Sequence, residues 1–338
     1  MKRNIAFFMS LTLLLLTIAG CSSNINQTAK GTVKTGLGII SSIAKSTDPG
    51  EKDGLAEIDS TIVAVTVDSA GKITNCMIDA AQTKINFTKE GKITTPLDTA
   101  FKTKQELGTE YGMGKASPIK KEWNEQADAF AAYVTGKTVE QVKGIAVSAE
   151  GVPTAAELTS SVTVHITDFV AAIEKAVGNA KDLGAKASDK LGLGVVTTIS
   201  KSTEATADKA GLAQAYSTYT VTTFAADGKI TSSIIDASQS DVNFSKDGKI
   251  TSDLTAALKT KNELGAEYGM AKASAIKKEW NEQADAFAKY TVGKTAAEVK
   301  GVAVNAEGVP TAAELTSSVT IHVADFIAII EKASANAK

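Results

Sequence analysis

Two cysteines, two histidines and a single arginine are all that 338 residues hold of these three types, and each shortage excludes a kind of chemistry. Cys21 and Cys76 are too few and too far apart for a disulfide framework, a zinc cage, an iron–sulfur cluster or a haem attachment motif. His165 and His322 offer no His-rich metal centre and no conventional Ser-His-Asp triad in each half of the chain, so no metal ligands and no catalytic residues are assigned. With Arg3 the only arginine, no later site can grip a phosphate or carboxylate through a guanidinium fork. Aromatic residues make up only 5%, which speaks against an aromatic-lined carbohydrate or peptide groove. An excess of one charge is also missing. The 36 basic against 38 acidic side chains leave a net charge of -2, without the basic surplus that nucleic-acid binding needs. What is present, 43% hydrophobic and 22% charged residues, suits a folded chain long enough for two domains.

The one long apolar run spans residues 5–18, behind the basic pair Lys2 and Arg3. It is shorter than the about 20 apolar residues that a membrane-spanning helix needs, and it has the shape of a secretory leader. It closes on Leu16-Thr17-Ile18-Ala19-Gly20-Cys21, which resembles the bacterial lipobox. The resemblance implies cleavage of residues 1–20 and a diacylglycerol on Cys21, anchoring the mature chain without spanning the bilayer. An ordinary secretory leader with an incidental cysteine is the alternative. Residues 21–35 are rich in Ser, Asn, Gln, Thr, Lys and Gly and read as a flexible tether.

The remainder is one domain written twice. Residues 119–131 (IKKEWNEQADAFA) recur unchanged at 276–288, and residues 150–163 (EGVPTAAELTSSVT) at 307–320, both displaced by 157 positions (276 − 119). Gly36-Leu37-Gly38 returns as Gly192-Leu193-Gly194. So long a repeat defines whole domains, at 36–180 and 192–338, joined by a linker at 181–191. Within each, Val63, Val65 and Val67 alternate as in a half-buried strand, and Asp227-Gly228 and Asp247-Gly248 signal hairpin turns. A helix opened by Pro118 or Ala275 carries Trp123, Ala127 and Phe130, or Trp280, Ala284 and Phe287, as core residues at helical spacing. A last amphipathic helix follows at 168–180 and 325–337, with Asp168 a candidate N-cap. Strands followed by helices predict an α+β fold in each copy, an antiparallel sheet with helices packed on it.

The segment Glu157-Leu158-Thr159-Ser160-Ser161-Val162-Thr163, repeated at 314–320, is either a polar turn or a site. It resembles the flavinylation motif of FMN-binding domains, whose final hydroxyl is esterified to the phosphate of FMN. The resemblance makes Thr163 and Thr320 the acceptors, Glu157 and Glu314 the acidic position, and Ser160 and Ser317 the hydroxyl position. The pattern departs in having Glu for Asp, Ser161 and Ser318 for Gly, and Val162 and Val319 for Ala. Ile78-Asp79-Ala80, Tyr111-Gly112-Met113 and Lys121-Glu122-Trp123-Asn124, with their second copies, extend the resemblance over the whole mature chain. A duplicated domain of this kind behind a lipobox is similar to the Gram-positive extracellular electron-transfer flavoproteins, also known as peptide pheromone-encoding lipoproteins. That family implies two covalent FMN groups, loaded by a flavin transferase. It implies a redox carrier more than an enzyme, lipid-anchored on the outer face of the cytoplasmic membrane. Electrons would come from a membrane quinone-linked NADH dehydrogenase system and pass to ferric iron, free flavins or quinones. It also implies a leader that can yield a pheromone, and a cofactor-free binding lipoprotein remains the other alternative.

Further candidates follow from position. Tyr111 and Met113, with Tyr268 and Met270, lie in glycine-rich turns that let a flat ligand approach closely, or that merely connect helices. His165 and His322, two residues after each threonine on a short strand, either face the ligand or lie beside the sheet. Asp79 and Asp236, expected at strand ends, are candidate hydrogen-bond partners of the flavin ring. Cys76, replaced by Ser233 in the second copy, reads as a small buried residue or an incidental thiol.

Overall fold

The computed structural model describes residues 31–338; the leader, Cys21 and most of the tether lie outside the described residues. Each repeat begins with a three-stranded antiparallel sheet: β1 (Lys34–Ser42), β2 (Gly54–Val67) and β3 (Ile73–Phe87), then β4 (Lys190–Thr198), β5 (Gly211–Phe224) and β6 (Ile230–Phe244). The middle and third strands are 14 and 15 residues long, so they extend well beyond the first. A tight turn with Gly71 at φ +76° joins β2 to β3, and Gly228 at φ +80° repeats it, a conformation a side chain would strain.

Short helices α1 (Lys104–Leu107) and α2 (Met113–Ala116) lead to the 12-residue α3 (Trp123–Val134). Then come α4 (Val139–Lys143), α5 (Ala156–Thr159) and the second long helix, α6 (Thr167–Gly178). The second repeat follows the same course with α7 (Lys261–Leu264), α8 (Trp280–Thr291), α9 (Ala296–Lys300), α10 (Ala313–Thr316) and α11 (Ala324–Asn336). Helix starts differ from expectation for local reasons. Residues 117–121 form a turn in which Lys120 takes φ +56°, so α3 starts only at Trp123, capped reciprocally by Glu122 and Glu125. Ile166 occupies the N-cap of α6, and Asp168 sits in its first turn, where a carboxylate favours the helix dipole. Residues 160–166 hold no strand.

Helices α3 and α6 cover one face of the first sheet. Val63, Val65 and Val67 point into that core beside Trp123, Phe130, Phe169 and Ile173. The expected half-buried pattern understates the burial. Ile62, Ala64, Leu37 and Ile39 face the other way, where Leu191, Leu193, Tyr219 and Val221 of the second sheet cover them. The fold is therefore a sandwich of helices, sheet, sheet and helices. Phe87 and Phe244 stack across the middle, ring centroids 4.3 Å apart and planes 8° from parallel. Lys175–Glu263 and Lys332–Glu106, both at 2.6 Å, are the same ion pair made twice. Such reciprocal contacts are what a two-fold relation between the repeats produces.

The repeated Gly-Leu-Gly has a packing cause. A Cβ on Gly38 or Gly194 would collide with the carbonyl oxygen of Ala172 or Ile329, so only glycine lets the long helix lie on the first strand. The tether and the linker also meet. Val33 is buried and its N–H donates to Ala185 O at 2.9 Å, and Thr35 pairs with Lys181. The first sheet thus starts at Lys34, two residues before the expected boundary, and residues 31–35 are part of the fold.

Candidate functional site

Thr163 lies in the irregular segment between α5 and α6, half-buried on the wall of a cavity of about 450 Å³. Its backbone N–H and its hydroxyl both donate to Gln126 Oε1, at 2.7 and 3.1 Å. Gln126 is fully buried on α3. Its Nε2 donates to Ser117 Oγ at 3.3 Å and to Lys121 O at 3.0 Å, so both ends of the amide are held. The turn at Lys120 is what aims the Lys121 carbonyl back at it. Trp123, Phe169 and Met113 supply apolar wall, and Lys104, Lys45, Asp59, His165 and Asp168 supply charge or polarity.

The second repeat builds the same site. Thr320 lies on a cavity of about 760 Å³, and its N–H and hydroxyl donate to Gln283 Oε1 at 2.8 and 3.1 Å. Gln283 is held by Ser274 at 3.3 Å and by Lys278 O at 3.1 Å. Trp280, Phe326, Met270, Tyr268, Lys261, His322 and Asp325 line the space. Burial raises the Asp325 carboxyl above its ordinary range, an effect His322 partly offsets. Both cavities fall within the roughly 300–1,000 Å³ typical of small-molecule sites.

Chemically, each site presents a hydroxyl whose proton is engaged by a neutral amide, leaving the oxygen's lone pairs available to an electrophile. An amide is no general base, and among the described residues neither threonine is hydrogen-bonded to a histidine or a carboxylate. The hydroxyl is positioned but not activated. The first turns of α6 and α11 begin four residues further on and leave backbone N–H groups without helical partners, beside the first-turn carboxylates Asp168 and Asp325.

The other sequence candidates divide. Met113 and Met270 line the cavities, each with its sulfur 3.6–3.7 Å from the glutamine amide. His165 and His322 line them too, as exposed residues. Tyr268 lines the second cavity, whereas Tyr111 packs against the core of the first domain with Lys104 Nζ 4.7 Å above its ring. Glu157 is exposed and accepts the Tyr133 hydroxyl at 2.9 Å, away from the cavity; Ser160, Glu314 and Ser317 are exposed as well. Trp123 and Trp280 are buried in the core and also form cavity wall.

Asp79 and Asp236 stand in the middle of β3 and β6, not at strand ends, because those strands run on to Phe87 and Phe244. Each is buried and accepts the N–H of Gln105 or Asn262, closing the start of α1 or α7. They line two cavities between the repeats, of about 100 and 400 Å³, rather than the threonine cavities. Burial pushes both carboxyls up to about 7. Cys76 is buried, and burial pushes its thiol up to about 12, so it stays protonated.

Gln126 and Gln283 were missed by sequence reasoning. Their signal was there: a polar residue three after the tryptophan and four before the phenylalanine, on the apolar stripe of a helix, in both copies. Among the described residues no group of histidine, cysteine and carboxylate side chains is arranged to hold a metal ion. Compared with known protein families, curated proteins and solved structures, the chain matches none of them.

Proposed function

We propose that each repeat is an FMN-binding domain carrying FMN in a phosphoester to threonine, Thr163 in the first and Thr320 in the second, and that the chain is a membrane-tethered electron carrier. The observation that supports it most is the duplicated cavity with a half-buried threonine whose N–H and O–H are both held by a buried glutamine. The residues fit the group. Thr218 Oγ1, on the wall of the second cavity, is buried with no hydrogen-bond partner, as befits a wall that meets a polar ligand.

When bound, FMN supplies the electron chemistry. This chain's residues bind and orient it. Before loading, the glutamine holds the threonine hydroxyl in one rotamer; once the hydroxyl proton is lost to the ester, the glutamine keeps only the threonine N–H and so fixes the backbone from which the link leaves the wall. Trp123 or Trp280, with the facing phenylalanine and methionine, gives a flat ring an apolar surface and excludes water. The start of α6 or α11 offers backbone N–H groups to the remaining phosphodiester charge, since no arginine follows Arg3. Because neither site holds a base for its threonine, loading falls to a separate flavin transferase. A covalent link holds the group at high effective concentration on a protein exposed to dilution outside the cell.

In this reading the leader and Cys21 support a carrier lipid-anchored on the outer face of the cytoplasmic membrane of a Gram-positive bacterium. Among the described residues no helix is long and apolar enough to cross a membrane. A membrane quinone-linked NADH dehydrogenase system is its electron donor in this reading, and ferric iron, free flavins or quinones are its acceptors. Peptide mass spectrometry of the protein isolated from its own cell envelope tests it. An FMN phosphate adduct is expected on the peptides containing Thr163 and Thr320. Bare peptides from cells with an active flavin transferase would overturn the carrier reading and favour a cofactor-free binding lipoprotein.

A further inference from the structure

The two cavities are alike at the threonine end and unlike at the far wall. In the first, Asp59 faces the cavity and pairs with Lys45 at 2.6 Å, and Glu57 lies 3.8 Å from the same lysine. In the second, Tyr216 stands where Asp59 was and Gln214 where Glu57 was (each 157 positions on). Lys201, the counterpart of Lys45, makes no ion pair among the described residues. Charged lining therefore balances in the first cavity, with Lys45 and Lys104 against Asp59 and Asp168. In the second, Lys201 and Lys261 face Asp325 alone, one positive charge in excess.

The lysine beside the aromatic wall also differs. Lys261 is buried, with its Nζ 3.0 Å from Tyr216 Oη and 4.4–5.0 Å from the rings of Tyr216, Tyr268 and Trp280. Lys104 keeps only the Tyr111 and Trp123 rings and is partly exposed. Burial lowers Lys261 to about 8, so it still carries its charge at neutral pH, in surroundings that screen it poorly.

Resting on the carrier reading above, we propose that the two sites are ordered in potential. The second domain, with its excess lining cation and Tyr216 in the place of Asp59, holds electrons more strongly than the first, so electrons entering the chain collect at the Thr320 site. A reduced flavin carries more negative charge than an oxidised one, and an uncompensated ammonium beside it favours the reduced form, whereas a facing carboxylate opposes it. One electron leaves the group on Thr163, which is oxidised, and enters the group on Thr320, which is reduced, so the step balances without another reactant. The first domain is then the donor-facing station and the second the reservoir from which outside acceptors are served.

Single-site proteins decide this. Thr320→Ala leaves only the first site to load and Thr163→Ala only the second; each is purified loaded and titrated spectroelectrochemically at neutral pH. The second site is expected to lie higher by at least a tenfold bias in the electron's distribution, about 59 mV for one electron. Asp59→Asn in the Thr320→Ala protein is expected to raise its midpoint. Lys261→Gln in the Thr163→Ala protein is expected to lower its midpoint; should that variant misfold, Asp59→Asn, at a partly exposed position, carries the test. Equal or inverted midpoints, or an Asp59→Asn midpoint that does not move, would overturn the ordering while leaving the carrier reading intact. Proteins that take up no flavin at either threonine would overturn both.

Discussion

The two repeats differ least where the threonine is held and most on the wall opposite. Thr163 and Thr320, their glutamines, and the serine and carbonyl that hold each glutamine superimpose in kind and in distance, within 0.1 Å for every counterpart bond. Across the cavity, Glu57 and Asp59 have become Gln214 and Tyr216, so that Lys261 has a third aromatic ring beside it where Lys104 has two. One duplicated domain thus keeps the geometry around its threonine while its electrostatic setting diverges. In the proposed reading, the carrier would hold its two groups in the same way and in unequal surroundings.

The comparison breaks most severely at the surface the repeats share. Phe87→Ala or Phe244→Ala removes one ring of the central stack and, by the usual cost of large-to-small core changes, should destabilise the protein by about 3–5 kcal/mol. Chemical denaturation monitored by tryptophan fluorescence checks it. Because both rings belong to one contact, the double variant should cost less than the sum of the two single ones.

Gln126→Ala and Gln283→Ala come next. Each strips a threonine of its partner and leaves buried donors unpaired, an effect of about 1–3 kcal/mol on stability. Each should also lower flavin occupancy at its own threonine and leave the other site loaded, which site-resolved peptide mass spectrometry reads directly. Equal losses at both sites would mean that the repeats are not independent in loading.

Dependent on pH is the effect of Asp79 and Asp236. Their carboxyls sit at about 7 in the fold, against about 3.9 in an unfolded chain, so the folded state binds the proton more tightly. The resulting stabilisation is complete below about pH 4 and is lost as pH rises through 7. The wild-type melting temperature should therefore fall between pH 4 and 7 more than that of a protein carrying Asp79→Asn and Asp236→Asn. Least of all, Lys175→Met or Lys332→Met should cost about 1 kcal/mol or less, since both ion pairs are partly exposed.

The repeat, the strand-then-helix order and the core of the long helices were legible because residues 119–131 and 150–163 recur unchanged and because Trp123, Ala127 and Phe130 keep helical spacing. Burial of both sheet faces was not, because Ile62 and Ala64 read as the plain half of an alternating strand until a second sheet covers them. Helix α3 begins later than its proline suggests because Lys120 turns the chain with a positive φ, which the residue type does not announce. Asp79 was placed at a strand end because a carboxylate rarely sits buried in mid-strand; here the N–H of Gln105 and the start of α1 make its position tenable. The glutamines escaped notice because a helical stripe is read for its apolar members.

The most direct test of the two-site carrier is the ratio of flavin to protein after acid denaturation and washing, which leaves only covalently held flavin. It is measured on the wild type, on Thr163→Ala, on Thr320→Ala and on the double variant, each isolated from cells with an active flavin transferase. The account predicts two equivalents, one, one and none. Flavin retained by the double variant, or none retained by the wild type, would contradict it.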